Sequence, residues 1–223
     1  MKVVILAAGE GMRMRPLTLD TPKPLLKIAG KTILDHIFEA LPLEIDEAII
    51  AVRYLEDKIK KHCGKEFHGR PVVYAEGSDL GNAYSFLAAK PYLKNERFMV
   101  VQGDELLTKE DFINCLAYPL SILCFEVPDP WNHAVATLRK DGSIEEMSEK
   151  PERAVGNLIA NGLMVLNQTI FQYKPKQHPN GEFYFSSMLN QLIKKEKVMA
   201  VKAQRPVGGI STPADISRVE KLL

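Results

Sequence analysis

The chain opens on a short unbroken apolar run, VVILAA, closed by Gly9. Branched residues with no polar alternation predict a strand buried on both faces of a sheet. In TILDHIFEAL the apolar positions instead recur at helical spacing, with Thr32 as N-cap and Asp35 in the first turn. EAIIAVRY reads as a second strand, LEDKIKKHC as a second helix and PVVYAE as a third strand. SFLAAKPYL then reads as a helix, and FMVVQGDELL as a central strand running into a loop. This alternation predicts a mostly parallel sheet with helices on both faces.

Beyond that point the pattern changes. LSILCFEV followed by AVATLRKDGSIEEMSEKP reads as a strand and a hairpin around Asp141-Gly142, so part of the sheet is expected to be antiparallel. After NGLMVLN, the stretch FYFSSMLNQLIKKEK reads as the last long amphipathic helix, and VMAVKA returns as a strand. No internal repeat, low-complexity segment or linker breaks residues 1–223. The expectation is a single α/β domain built on one doubly wound, mostly parallel mixed sheet.

Composition narrows the function classes. With 46% apolar and 26% charged residues, the chain has the balance of an ordinary soluble globule. A net charge of +1 supplies no broad field for nucleic acid, so any polyanion must be met by a local cluster. Cys63, Cys115 and Cys124 are odd in number and far apart, which suits a reducing compartment and buried, small apolar roles. The N-terminus imitates a signal peptide, but its apolar run is short and arginines follow at once. Nor does any later stretch reach the ~20 apolar residues that span a bilayer. A cytoplasmic protein without nucleic-acid or membrane partners is expected, with homo-oligomerisation left open.

The local cluster is LAAGEGMRMRPLTLDTPKPLL, residues 6–26, where two glycines, arginines and a lysine crowd the space between apolar runs. A Walker A loop requires Gly-Lys-Ser/Thr, yet Gly11 is followed by Met12 and Arg13. A dinucleotide fingerprint requires a third glycine where Met14 stands. What remains is a glycine-flexed turn, Gly9 to Gly11, whose backbone N–H groups can face a phosphate. Arg13 adds a planar fork and Lys23, between Pro22 and Pro24, a point charge.

This string, with TPKPLL shortly after it, resembles the signature of the sugar-1-phosphate nucleotidyltransferases. Later stretches are similar to further landmarks of that family. VVQGDELL matches a strand ending in Gly-Asp, DGSIEEMSEKP a hairpin leading to Glu-Lys-Pro, NGLMVL an Asn-Ala-Gly or Asn-Gly-Gly segment and GEFYFSSMLNQLI a late helix. The resemblance spans nearly the full length, without the β-helix tail of longer relatives. It implies a Rossmann-like fold and Mg2+-dependent transfer from an NTP to a sugar 1-phosphate, with release of pyrophosphate. By matching position, Leu6, Ala7, Ala8, Gly9, Gly11 and Gly81 would surround the nucleotide. Arg13 would bind the pyrophosphate portion, Lys23 the α-phosphate and Asp104 the magnesium. Lys150 would hold the acceptor's phosphate, with Glu149, Asn161 and Gly162 around the acceptor. Joining two polyanions is chiefly a matter of charge neutralisation and in-line positioning, so no nucleophilic side chain is needed.

Three departures from the family pattern bear on substrate and metal. Many relatives place a second magnesium-binding aspartate in a Trp-x-Asp-Ile-Gly-Thr-Pro segment; here PVGGISTPAD aligns on Ile210, Thr212 and Pro213 and leaves Gly209 at that position. Magnesium must then be held by Asp104 with substrate phosphates, water or another acid such as Glu105, or activity is impaired. Asn82, Tyr84 and Ser85 resemble the Asn-x-Tyr-Ser pattern of cytidylyltransferases acting on phosphorylated alcohols such as inositol phosphate or phosphocholine. Glu76, five residues before Gly81, stands where thymidylyl and uridylyl enzymes often carry a base-reading glutamine. A carboxylate only accepts hydrogen bonds, which tilts the base toward guanine or cytosine. Trp131 and His133 are candidates for the acceptor pocket, or for structural roles. GTP with mannose 1-phosphate or a related sugar phosphate is the leading expectation. A CTP-dependent enzyme and a catalytically degenerate regulatory binder are the alternatives.

Overall fold

The computed structural model describes residues 1–94, 96–153, 155–204 and 209–222, apart from the side chain of Asn161. Its strands are β1 (Lys2–Ala7), β2 (Lys27–Ile28), β3 (Lys31–Thr32), β4 (Glu47–Val52), β5 (Glu66–Phe67) and β6 (Arg70–Glu76). They continue as β7 (Phe98–Gln102), β8 (Ser121–Glu126), β9 (Ala134–Leu138), β10 (Ile144–Glu149), β11 (Leu158–Leu166) and β12 (Met199–Lys202). The helices are α1 (Ile33–Ala40), α2 (Glu56–Cys63), α3 (Asn82–Leu87), α4 (Lys109–Leu116), α5 (Ser186–Ile193) and α6 (Pro213–Glu220).

β1 lies at the centre, parallel to β4 on one side and to β7 on the other, and β6 extends the parallel set beyond β4. The chain therefore adds β4 and β6 on one side of β1 before crossing to β7 on the other. This reversal opens a crevice at the C-terminal strand ends, the place where open α/β sheets bind ligands. Beyond β7 the sheet becomes antiparallel: β11 pairs with β7, β8 and β9, and β9 pairs with β10 as the expected hairpin. Between Ala160 and Met164 the register of β11 against β8 shifts. A bulge of this kind bends a strand and re-aims its side chains, and Asn161 and Gly162 fall within it.

The alternation of side chains along β1 splits the core into two layers. Val3, Ile5 and Ala7 pack with residues of α1, α2, α4 and α6, whereas Val4 and Leu6 face α3 and α5. In the second layer Phe86 stacks on Phe171 and Phe185, with ring centres 5.1 and 4.2 Å apart. The three cysteines are buried and unbridged, and burial pushes each thiol up to about 12.

Several elements differ from the sequence reading. Thr32 caps α1 as expected: Asp35 N–H donates to Thr32 Oγ1 (3.1 Å) and Thr32 N–H to Asp35 Oδ2 (2.9 Å). The helix expected in SFLAAKPYL starts earlier, at Asn82, and ends at Leu87, before Pro91. The late amphipathic helix starts only at Ser186, because Phe183–Phe185 serve as a packed connection instead. α4 and α6 have no counterpart in the sequence reading. Both begin with a Thr-x-x-Asp capping box, Thr108 with Asp111 and Thr212 with Asp215, but each buries too narrow a stripe to stand out by period. Among the described residues no helix is long and apolar enough to cross a membrane.

Candidate active site

Two adjoining cavities, of about 700 and about 720 Å³, occupy the crevice at the strand ends. Arg13, Asn82, Gln102, Asp104, Asn132 and Ser211 line both, so the two spaces meet across these residues.

The first cavity is walled by the loop that leaves β1. Gly11 adopts φ +63°, and a Cβ there would meet Thr18 Cγ2 at 3.1 Å and Lys23 Cβ at 3.2 Å. Glycine is therefore demanded both by conformation and by space. Thr18 Oγ1 donates to Gly11 O (2.9 Å), and Met14 is fully buried, which anchors a short turn and leaves Arg13 exposed at its crest. Lys23 begins a second turn between the buried Pro22 and Pro24. Its side chain is only 12% exposed, and its ammonium pairs with Asp104 just beyond the end of β7. A cation this enclosed requires such a partner.

Leu6, Ala7, Ala8, Gly9, Gly11, Arg13, Lys23 and Gly81 all line this first cavity, together with Asp104 and Lys150. Glu76 does not: it is exposed at the end of β6 and lines neither space. The wall near that strand end is built instead by Ser78, Asp79 and Arg53, with Arg53 bonded to Asp79 at 3.0 Å. The sequence reading overlooked these residues, because Arg53 and Asp79 leave different strands and only the parallel pairing of β4 and β6 sets them side by side. Asn82 and Ser85 line the same cavity, and Ser85 Oγ accepts from Ser78 N–H at 3.0 Å. Tyr84 lies outside that lining, edge-on to Phe183.

The second cavity is lined by Glu149 and Gly162, with His133 and Glu105. The Asn161 side chain lies outside the described residues. Glu149 Oε2 accepts from Ser186 Oγ (2.7 Å), and burial pushes its carboxyl above the ordinary range, against the opposing pull of Ser186 and Lys150. Burial, then the charge of Arg13, and also that of Lys150, draw the His133 imidazole below its ordinary value, with Asp129 acting the other way. His133 is therefore neutral near pH 7. Trp131 is 49% exposed and lines neither cavity, although its neighbour Asn132 lines both.

The corner around Asp104 bears on metal binding. Ile210 N–H donates to Asp104 O at 3.0 Å, and Glu105 forms an antiparallel bridge with Gly209. A Cβ at position 209 would sit 3.0 Å from Glu105 Oε1. The Glu105 carboxylate thus fills the space that a side chain at 209 would enter, and it lines the second cavity together with a second hard-oxygen donor, Asp104. Two carboxylates with room for phosphate oxygens and water fit a magnesium ion, which is usually held by one or two protein carboxylates. Among the described residues no group of three or more His, Cys, Asp or Glu side chains is placed to hold a metal.

The chain is 34% identical over 225 residues to the bifunctional protein GlmU of Methanocaldococcus jannaschii, covering 100% of this chain and 54% of that protein. It thus spans about half the length of that relative. It is 30% identical over 235 residues to UTP-glucose-1-phosphate uridylyltransferase AglF of Haloferax volcanii, covering 100% of this chain and 96% of that one. In fold it matches the crystal structure of a Bacillus anthracis protein described as a glucose-1-phosphate thymidylyltransferase, with a TM-score of 0.85, 22% identity and coverage of 100% and 94%. The family model described as nucleotidyl transferase matches residues 2–206, and the chain belongs to that family.

Proposed function

We propose that the chain transfers a nucleotidyl group from an NTP to a sugar 1-phosphate and releases pyrophosphate. The observation that carries this reading is a cleft of two adjoining cavities that share Arg13 and Asp104, with Lys23, paired to Asp104, and Lys150 lining the glycine-basic first cavity and Glu149 the second.

A phosphate oxygen of the acceptor attacks the α-phosphorus, and the bond from that phosphorus to the bridging oxygen of the departing pyrophosphate breaks. The attacking oxygen is already anionic, so no general base is required. Lys23, exchanging Asp104 for the α-phosphate, neutralises charge gathering on its oxygens. Arg13 offers its fork to the departing pyrophosphate, and Lys150 holds the acceptor's phosphate in line. Asp104 and Glu105 would hold a divalent cation, whose chemistry when bound is to neutralise phosphate charge. The presence of all three groups Arg13, Lys23 and Asp104 in the cleft favours turnover over a purely regulatory binder.

For the base, Asp79 in the cleft wall only accepts hydrogen bonds and favours guanine, or cytosine as in the cytidylyl alternative that Asn82 and Ser85 suggest. GTP with mannose 1-phosphate or a related sugar phosphate is therefore the pair put forward. A second reading, UTP with glucose 1-phosphate, is favoured by the full-length likeness to AglF.

Pyrophosphate release is the test, measured with magnesium for five NTPs crossed with sugar 1-phosphates, inositol phosphate and phosphocholine. Turnover with GTP and mannose 1-phosphate is the expected result. Preference for UTP and glucose 1-phosphate would install the second reading, and preference for CTP with an alcohol phosphate would replace the sugar acceptor. No turnover with nucleotide binding intact would overturn the transferase reading.

A further inference from the structure

The connection that enters α5, Gly181 to Ser187, is fastened on both sides. Toward the first cavity, Phe183 N–H donates to Leu80 O (2.8 Å), Ala83 N–H to Phe183 O (3.1 Å) and Phe185 N–H to Asn82 Oδ1 (2.8 Å). The fit is close: a Cβ on Gly81 would lie 2.4 Å from Phe183 O. Toward the other side, Lys150 Nζ donates to Tyr184 Oη at 2.6 Å and stands 4.5 Å from the centre of its ring. Tyr184 is itself 8% exposed, and its hydroxyl also accepts from Asn180 Nδ2 at 2.8 Å.

Lys150 needs this restraint. It is one of the few non-glycine residues with a left-handed backbone, φ 42°, and its N–H donates to His133 O at 3.0 Å. At the end of β10 two consecutive side chains part, Glu149 lining the second cavity and Lys150 the first. Conformational strain of this kind persists where the surroundings over-determine it. A lysine stem otherwise samples many rotamers, and holding it in one opposes binding entropically. Tyr184 occupies one of the three ammonium donors and leaves two for a phosphate.

We propose that Tyr184 is the positioning residue for Lys150: through its hydroxyl and ring it holds the ammonium at the cleft, and its own segment ties that ammonium to the Leu80–Asn82 loop of the nucleotide side. The inference rests on the reading of Lys150 as the holder of the acceptor's phosphate. It makes the acceptor cation part of one hydrogen-bonded unit with the nucleotide loop, so that the two halves of the cleft are not set independently.

The test is a double-mutant cycle of Tyr184→Phe and Lys150→Met, which keeps the ring and the stem. Mannose 1-phosphate and glucose 1-phosphate are titrated calorimetrically into the protein saturated with α,β-methylene GTP or UTP, analogues that cannot transfer. Tyr184→Phe is expected to weaken sugar-phosphate binding about tenfold, as for a lost hydrogen bond to a charged group. Affinity for the NTP analogue and the melting temperature should be unmoved, and Tyr184→Phe should have no further effect in the Lys150→Met background. An unchanged sugar-phosphate affinity in Tyr184→Phe, with Lys150→Met impaired, overturns the positioning role alone. So does an effect of Tyr184→Phe that persists without Lys150, or one that falls equally on the NTP analogue. Sugar-phosphate binding that is absent in the wild type, or intact in Lys150→Met, overturns the reading of Lys150 beneath it.

Discussion

The wall after β1 and the wall after β10 face each other across the cleft, yet they are made by different means. The first consists of backbone, two tight turns and cations. Gly11 must be glycine, and among the described residues Arg13 reaches no protein partner closer than Ser211 Oγ at 3.5 Å. The second consists of side chains already engaged: Glu149 with Ser186 at 2.7 Å and Lys150 with Tyr184 at 2.6 Å. In the proposed reading this first wall meets the triphosphate, which presents much the same charge whatever its base, with an exposed arginine, a lysine already paired with Asp104 and backbone N–H groups. In the same reading the second wall meets the acceptor, whose recognition by shape and hydroxyls calls for groups held in place beforehand.

Four substitutions sharpen this contrast or break it. The largest effect is expected for Lys23→Ala, which removes the ammonium at the junction of the two walls. Pyrophosphate release should fall by at least ~100-fold, as on losing a transition-state charge contact, with the fold retained. If acceptor affinity alone changed, Lys23 would belong to the second wall. Next comes Glu105→Gln, which should weaken Mn2+ binding about tenfold in the presence of nucleotide, read by electron paramagnetic resonance as well as by the metal dependence of turnover. Unchanged Mn2+ affinity would leave Asp104 and the substrates as the metal's ligands.

A smaller effect, set by pH, is expected for Glu149→Gln. Because burial raises the carboxyl in the folded protein, its contribution to stability is full below the ordinary carboxylate value and is lost as pH rises through the raised one. Glutamine carries no such dependence. The melting temperature of Glu149→Gln relative to the wild type should therefore rise with pH across that window, while sugar-phosphate affinity falls. A parallel pair of stability curves would show that Glu149 is not held neutral by its site. The smallest effect is expected for Glu76→Gln, an exposed residue outside both cavities, whose base preference should move by no more than about twofold. A large shift toward UTP or dTTP would bring Glu76 into the base-reading wall after all.

The first wall was the more legible in the sequence. Gly9 to Lys23 is a continuous stretch, so its turns, charges and prolines are written side by side, and the strand before it announces itself by an unbroken apolar run. The second wall is scattered. Tyr184 and Ser186 meet Lys150 and Glu149 only because α5 packs against β10. The replacement of a side chain at 209 by the carboxylate of Glu105 likewise depends on a bridge between distant segments. Helices α4 and α6 escaped for a related reason. Their stability rests on caps and on burial of a few residues such as Phe112, Cys115 and Val219, not on a long amphipathic period.

The sequence by itself determined the alternation of elements, the central buried strand and the glycine-basic character of the loop after β1. These depend on residues within a turn or a strand of one another, where propensity, period and backbone chemistry act locally. The tertiary structure alone decided that Asp79, not Glu76, lines the cleft, that Glu105 fills the space beside Gly209, and that Lys150 rests on Tyr184. Each of these is a contact between segments far apart in the chain. Its geometry is fixed by sheet order and packing, which no local pattern encodes.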